Sequence, residues 1–482
     1  MTFYMMLTAF TSYILGLMTT IEELYAYIAK LQATISELQE LLKVFQGQIN
    51  KDSHNSSKPP STDGYKKVTK TRKKTDKSQG GQKGHAGHTL ELVDKPDYTL
   101  TYLACQCEKC SASLENVQVD SFERRQVFDI PPIKMEVTEH KAGITICPHC
   151  GELNKAAFPD DVQHSIQYGP QLKATCIYLS QYQLVPYKRL QQLCKDLFDL
   201  NISQGTLYNF NRECYERLED ADKALKELVI SSSVVHFDET GIRINGKTQW
   251  LHVACTDKLT FYAVDHQRGY DAMVRINILP QFKGIAVHDF WRSYFKFNNC
   301  YHALCNAHHQ RELIGICEND EQVWSQDMID LLLEIKEAVE EMKVAHNQLN
   351  PEQIKYFEEK YDRIILKGLD EIPPLLAEAK PGKKGKKKQS KAKNLLDRLD
   401  KYRRLALTFM YDFRVSYDNN QGERDLRMAK IQQKISGNFR SKLGADISFR
   451  IRGNISTARK NGISAITAVR DALMSRPYIP EI

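Results

Sequence analysis

The sequence predicts a multidomain α/β protein, and three observations carry that expectation. A strict heptad seam opens the chain, two C-x2-C pairs follow, and strand-like runs from Val234 are succeeded by helical segments. Strands in that order, then helices, are the pattern of an α/β domain. The chain has 482 residues, enough for about three domains on a length prior. It carries a formal net charge of +7, which is mild. The distribution says more: basic residues cluster between Lys51 and Lys83 and between Lys380 and Lys393. Both clusters suit a polyanion, and both also read as solvated linker. Of the 12 cysteines only Cys107, Cys110, Cys147 and Cys150 form close pairs, so the pattern is not a secreted disulfide framework. A reducing, cytoplasmic location is expected.

Residues 1–20 form an apolar leader that is long enough to span a membrane. It lacks a basic flank and is studded with Thr and Ser, so no membrane span is expected, and Met18 is the expected natural start. From 21 to 49 the apolar positions run Ile21, Leu24, Ile28, Leu31, Ile35, Leu38, Leu42, Phe45, Ile49. Steps of three and four over about four heptads predict a coiled coil, and early Ile/Leu alternation favours a parallel dimer. A single helix packed on its own chain gives the same pattern. Residues 50–97 are rich in Lys, Ser, Gly and Pro and read as a basic flexible linker.

Residues 98–160 form a small module around the paired cysteines. Alternation in VQVDSFERRQVFDI and KMEVTEHKAGITI predicts strands there. Two C-x2-C turns, at Cys107/Cys110 and Cys147/Cys150, predict one tetrahedral, structural Zn site, with Cys105 and His149 as bystanders. Residues 165–230 read as a helical DNA-binding region. Within it, a polar break at Asn201–Ser203 separates two helices in the manner of a helix-turn-helix, with Ser203 as N-cap. Any helical hairpin reads the same way.

Residues 231–318 hold five strand-like runs: SSVVHFDETGIRI, KTQWLHVACTD, LTFYAVDH, GIAVHDF and NCYHALC, with a helix from Asn306. Residues 319–405 are helical, charged, and read as an insertion. Residues 406–482 return to the core. Asp238 and Asp289 each fall at the end of an apolar run, where ligands collect in α/β sheets. Glu423 is expected early in a helix. Each acid alone is explained as well by a cap or a surface ion pair. His236 shares the face of Asp238 and is an outside candidate for a ligand, whereas His288 should face away from Asp289 and pack. Trp250 is expected in the core, and Trp291 either there or stacked on a base.

Together HFDET, VHDFWRSY, CNAHHQRE and DNNQGERDLRMAK resemble the insertion-sequence-66 family of bacterial transposases. The chain order is also similar: heptad leader, NSSKPPS, GGQKGHAGH, zinc module, acidic domain and the tail SGNFRSKLGADISFRIRGNISTARKNGI. The resemblance covers nearly all of the chain from Met18. It implies an RNase-H-like core of the retroviral-integrase superfamily with a catalytic triad of Asp238, Asp289 and Glu423 holding two Mg (or Mn) ions. It implies metal-dependent hydrolysis at transposon ends and strand transfer of the 3′ hydroxyl. Cys305, His308 and Arg311 match a C-x2-H-x2-R element and are expected to support the site. Lys430, or Arg424 and Arg427 on the same segment, are the expected DNA-facing cations. The implied partners are DNA, as terminal inverted repeats and target, a second copy of the chain or a higher oligomer, and small accessory transposition proteins. Two departures from the family pattern stand out: Phe290-Trp291 replaces the usual Gly-Tyr after the second acid, and Gln310 stands where Arg is common. Rival readings are a DNA-binding regulator with an inactive transposase-like domain and a nuclease of the same fold that does not transpose.

Overall fold

The computed structural model describes residues 2–56, 63, 90–131, 133–320, 322–372 and 389–481. The GGQKGHAGH segment and most of the basic linker and of the Lys380 run lie outside them. The chain divides into two compact units, one of residues 1–69, 157–192 and 202–482, the other of residues 70–156 and 193–201.

In the larger unit, α1 (Thr2–Ile49) is one continuous helix of 48 residues, running through the expected leader into the heptads. Every seam side chain from Ile21 to Ile49 is solvent-exposed, so the apolar stripe is uncovered within the single chain. Among the described residues no helix is long and apolar enough to cross a membrane. Past α1 the chain folds back on itself around Asn55, which is only 8% exposed. Its amide donates to Asn50 O and to Glu318 Oε2, at 3.0 and 2.8 Å. Glu318 lies on α7 (Asn306–Asp320). A Cβ on Gly315 of the same helix would stand 2.5 Å from the Asn55 carbonyl oxygen. Gly315→Ala should therefore release residues 51–56 from α7. Limited proteolysis should then cut beside Asn55 several-fold faster than in the parent, and an unchanged cleavage rate would show that this docking is not retained in solution.

Helices α2 (Pro170–Ile177), α3 (Tyr187–Phe198), α4 (Gln204–Arg217) and α5 (Glu219–Ser231) follow, with a π-helical turn at Tyr178–Tyr182. Ser203 caps α4 as the sequence suggests, its Oγ accepting from Thr206 N at 3.0 Å. The smaller unit holds two short antiparallel strands, β1 (Ile144–Ile146) and β2 (Leu153–Lys155). Of the two alternating stretches expected to form strands, only the terminal ITI of the second does so. Val117, Phe122, Val127 and Ile130 of the first are exposed, and alternation without a pairing partner does not make a ladder.

The core sheet contains β3 (Val234–Ile244), β4 (Lys247–Cys255), β5 (Thr260–Asp265), β6 (Ile285–His288) and β7 (Tyr301–Leu304). Their spatial order is β5-β4-β3-β6-β7. The β3–β4 and β4–β5 pairs are antiparallel, and β6 and β7 join parallel. The β3–β4 hairpin turns at Asn245 and Gly246, both with positive φ (49° and 72°), which is why this Asn-Gly pair suits a two-residue turn. The crossover from β5 to β6 carries α6 (Tyr270–Ile276).

Period-two alternation sends β3 into two different cores. Val235 and Phe237 pack with Phe282 and Tyr294 on one face. Ile242 and Ile244 pack on the other with Leu426, Ala429 and Phe449. Those last residues come from α13 (Asn420–Ser436) and α14 (Lys442–Lys460). The expected insertion is α8 (Val323–Met342), α9 (Pro351–Glu371) and α10 (Lys391–Lys401), built around buried Trp324, Leu332, Tyr361 and Leu396. Two short helices, α11 (Arg403–Ala406) and α12 (Thr408–Tyr411), lead back to the core, and α15 (Ala465–Leu473) closes it.

Candidate functional site

Asp238 does not end its strand, as the apolar run HFD suggests; β3 continues to Ile244, paired throughout with β4. What ends is the other edge. The parallel β3–β6 register runs Val234↔Ile285 to His236↔Val287 and stops there. Carried on two residues, that register brings Asp238 level with Asp289, which lies one residue beyond the end of β6. Adjacent strands are about 4.8 Å apart, so the two carboxylates become neighbours where backbone pairing ceases. Asp289 Oδ1 accepts from Trp291 N at 3.0 Å, and Asp238 Oδ1 from Glu239 N at 2.8 Å.

Glu423 arrives from the far end of the chain in the first turn of α13, as expected. The helix comes so close that a Cβ on Gly422 would stand 3.2 Å from Asp238 Cβ. Asn419, at the N-cap, fixes this approach. Its amide donates to Phe237 O at 2.8 Å, its Oδ1 meets His236 Nδ1 at 2.8 Å, and its backbone N–H points to the buried Cys305 sulfur at 3.1 Å. Cys305 in turn donates its N–H to His288 O at 3.0 Å, just before Asp289. One asparagine thus ties the third acid's helix to both strands that carry the other two. His236 uses its Nδ1 for this bond, and burial lowers its pKa.

Electrostatics report the convergence. Burial raises the Asp238 carboxyl well above the usual range, and the charges of Glu239, Asp289 and Glu423 push the same way. On α7, Arg311 lies 3.4 Å from both Glu423 oxygens, and His308 Nε2 lies 3.9 Å from Oε1. The His308 Nδ1 is buried with no hydrogen-bond partner. The C-x2-H-x2-R residues therefore do surround the third acid, with Cys305 at its N-cap and His308 and Arg311 at its carboxylate. Among the described residues, no three His, Cys, Asp or Glu side chains converge tightly enough to hold a metal ion in this conformation.

Motif reading missed a network on the opposite face. Glu239 Oε2 accepts from the Tyr294 hydroxyl at 2.5 Å, and its other oxygen pairs with Arg268 at 2.7 Å. Burial first, then the Asp289 charge, raises Glu239 to about 7. Arg268 lies between the Trp250 and Trp291 rings, 5.1 and 4.0 Å from their centroids. Both tryptophans thus hold a cation, and neither is simply a core side chain. HFDET did contain Glu239, but nothing in the sequence announced Arg268 as its partner. His288 packs as expected: it is fully buried, stacks on Tyr294 at 4.3 Å, and burial lowers it to about 3.

Of the expected DNA-facing cations, Lys430 is exposed and donates to Gly241 O at 2.6 Å, on the edge of β3 that β6 leaves free. Arg427 is exposed, and Arg424 is exposed with one bond to Gln421 Oε1 at 2.9 Å.

The smaller unit repeats one turn twice. Cys107 N–H donates to Ala112 O and Ser111 N–H to Cys107 O; Cys147 N–H donates to Glu152 O and Gly151 N–H to Cys147 O. Residues Ser111 and Gly151 both have positive φ, 57° and 75°. Backbone N–H groups of Cys110 and Lys109 lower the Cys107 thiol's pKa, and those of His149 and Cys150 lower that of Cys147. Such turns favour thiolates, the form that binds metal.

Comparison with known proteins follows the same division. The family model described as "Transposase IS66 family" matches residues 165–447, "zinc-finger binding domain of transposase IS66" matches 104–155, and a family of unknown function (DUF6444) matches 16–91. No curated protein matches. Two solved structures are similar over 30% of this chain and 61% of theirs, hence over less than two thirds of their length. They are a pre-cleavage Mos1 transpososome, at 14% identity, and a Mos1 transposase paired-end complex with left transposon end, at 16%, both with a TM-score of 0.12, too low to carry an argument. The family match alone spans more than half of the chain and joins the strands of Asp238 and Asp289 to the helix of Glu423. The chain belongs to the IS66 family of transposases.

Proposed function

We propose that the chain cleaves transposon ends and joins the freed 3′ hydroxyl to target DNA, using Asp238, Asp289 and Glu423 in an RNase-H-like core. The observation that carries this is the approach of Gly422 to Asp238, which brings the first turn of α13, where Glu423 stands, beside the strand positions at which Asp238 and Asp289 are level. The strand order β5-β4-β3-β6-β7, with two antiparallel and two parallel pairings, is the arrangement this reading needs. The donor set suits hard divalent cations, which prefer oxygen ligands: three carboxylates, of which Asp238 is raised by burial and by the charges of its acidic neighbours. Two Mg²⁺ or Mn²⁺ ions, when bound, supply an activated water and stabilise the leaving oxygen. The chain's own part is placement. Asp238 and Asp289 present carboxylates from adjacent strands. The N-terminal dipole of α13 favours the charge on Glu423. Arg311 and His308 stand at that carboxylate, 3.4 and 3.9 Å away, and would orient it.

The reading is tested by incubating the full chain with Mg²⁺, a duplex carrying the element's inverted repeat, and a target duplex. Joined product supports it. Cleavage without joining marks a non-transposing nuclease, and binding without cleavage a DNA-binding regulator; either outcome rejects the proposal.

Two further parts belong to this reading. The paired cysteine turns would hold one structural Zn²⁺, with all four thiolates as ligands. Elemental analysis should give about one zinc per chain, and Cys147→Ser should lose it; retained zinc would remove that cysteine from the set. The exposed α1 seam would pair two copies and so bring two ends together, while α3, Ser203 and α4 would meet the repeat. Light scattering should show a dimer that Leu31→Asp converts to monomer. A parent protein monomeric at micromolar concentration would exclude pairing through the seam. Accessory proteins remain part of the proposal as partners in transposition.

A further inference from the structure

Beside the carboxylate site, α13 borders a second feature. Its 424–428 face, α14 and the π-turn enclose a cleft of about 560 Å³, lined by Tyr182, Arg424, Asp425, Arg452, Arg459 and Lys460 among others. That volume is within the range of about 300–1,000 Å³ usual for small-molecule sites. Four cationic side chains meet one anionic one. The anion is already neutralised, because Lys460 reaches Asp425 Oδ2 at 2.7 Å. Lys460 also spends its remaining donors on Thr256 O and Leu259 O, at 2.8 and 2.9 Å.

The surplus charge therefore belongs to three guanidinium groups. Arg452 gives one bond to Gln181 O at 3.0 Å, Arg424 gives one to Gln421, and Arg459 gives one to the Tyr182 hydroxyl. Each guanidinium carries five N–H donors, so all three keep donors for a ligand. Arg452 is largely withdrawn from water, and that burial lowers its pKa. Three cations lining one roomy cleft call for an anion with several oxygens, and Arg suits phosphate because its fork meets two of them.

We propose that this cleft binds phosphodiester groups of the DNA strand flanking the scissile bond, through Arg424, Arg452 and Arg459. The placement rests on the proposed catalytic reading. Arg424 follows Glu423 directly, and α13 rises about 1.5 Å per residue, so the 424–428 face spans about 6 Å. That is on the order of two nucleotide steps at 3.4 Å per strand step. One helix thus offers a carboxylate to the reacting phosphate from one face and a cationic cradle to its neighbours from the next.

The experiment measures binding of the full chain to repeat-containing duplex by fluorescence anisotropy from low to moderate salt. It compares the parent, Arg459→Gln, Arg424→Gln/Arg459→Gln and Arg459→Lys, with melting curves to verify folding. Each lost phosphate contact should lower the slope of log K against log salt by about 0.9, so the double variant should lose about 2 and Arg459→Lys almost nothing. Inorganic phosphate and a nucleoside monophosphate are then added as competitors. Weak competition, at tens of millimolar, supports a DNA strand. Submillimolar competition that the double variant abolishes would mark a free-nucleotide site and overturn the strand assignment. An unchanged slope in a folded double variant overturns the cleft while leaving catalysis standing if the parent still nicks. A parent that neither binds nor nicks overturns both.

Discussion

Asp238→Asn should abolish strand cleavage while raising the thermal stability of the metal-free protein. Removal of one preorganised charged group at a reacting centre costs on the order of 10²–10³ in rate, and a shared metal ligand should cost at least that. The stability effect follows from the raised carboxyl. In the folded chain burial and the neighbouring charges of Glu239, Asp289 and Glu423 favour the protonated acid. The folded state then binds a proton that the unfolded state has already released. Stability accordingly falls as pH rises from the ordinary carboxylate range toward the folded value. An amide of the same shape removes that repulsion. Magnesium should reverse the order: at 100 times its Kd, a ligand bound only by the folded state contributes about 2.7 kcal/mol. In a domain of this size that is a rise of about 3–5 °C for the parent, and almost none for the variant. A variant that melts below the parent without metal, or keeps the magnesium shift, would remove Asp238 from the proposed ion site.

Gly422→Val should cost about 100-fold in cleavage with the fold retained. Even a single added Cβ would lie 3.2 Å from Asp238 Cβ and 3.4 Å from the Asn419 amide, tighter than a comfortable contact. A branched side chain must push α13 outward, and a displacement of about 1 Å at a reacting group can cost 10²-fold. Overpacking costs about 1–3 kcal/mol, which the large core around Leu426 and Phe449 can absorb. Circular dichroism and a melting curve would register retained folding, and a nicking assay the loss. Near-parental nicking in the folded variant would mean that the Gly422 approach does not set the position of Glu423.

Much of this architecture could be read without coordinates. The five core strands, the helix from Asn306, the helical insertion and the Ser203 cap all follow from apolar periodicity and capping chemistry. The alternating stretches before Ile144 misled, because alternation records a two-faced segment and pairing needs a second one. The candidate acids were legible only as a set. No single one is distinguishable from a cap, but HFDET, VHDFW and NNQGER together mark the family that the match over residues 165–447 bears out.

Local chemistry along the chain determined the elements and the paired cysteine turns, since each depends on residues a few positions apart; the three candidate acids were named only through the resemblance of motifs far apart in the chain. Tertiary structure alone decided where β6 stops pairing with β3, so that Asp238 and Asp289 become level, and how Asn419 holds α13 against them. It also decided that Lys430 faces Gly241, that Arg268 closes on Glu239, and that three arginines gather at one cleft. These are contacts between residues tens to almost two hundred positions apart. A spacing pattern carries no term for them; they exist only once packing has set which surfaces meet.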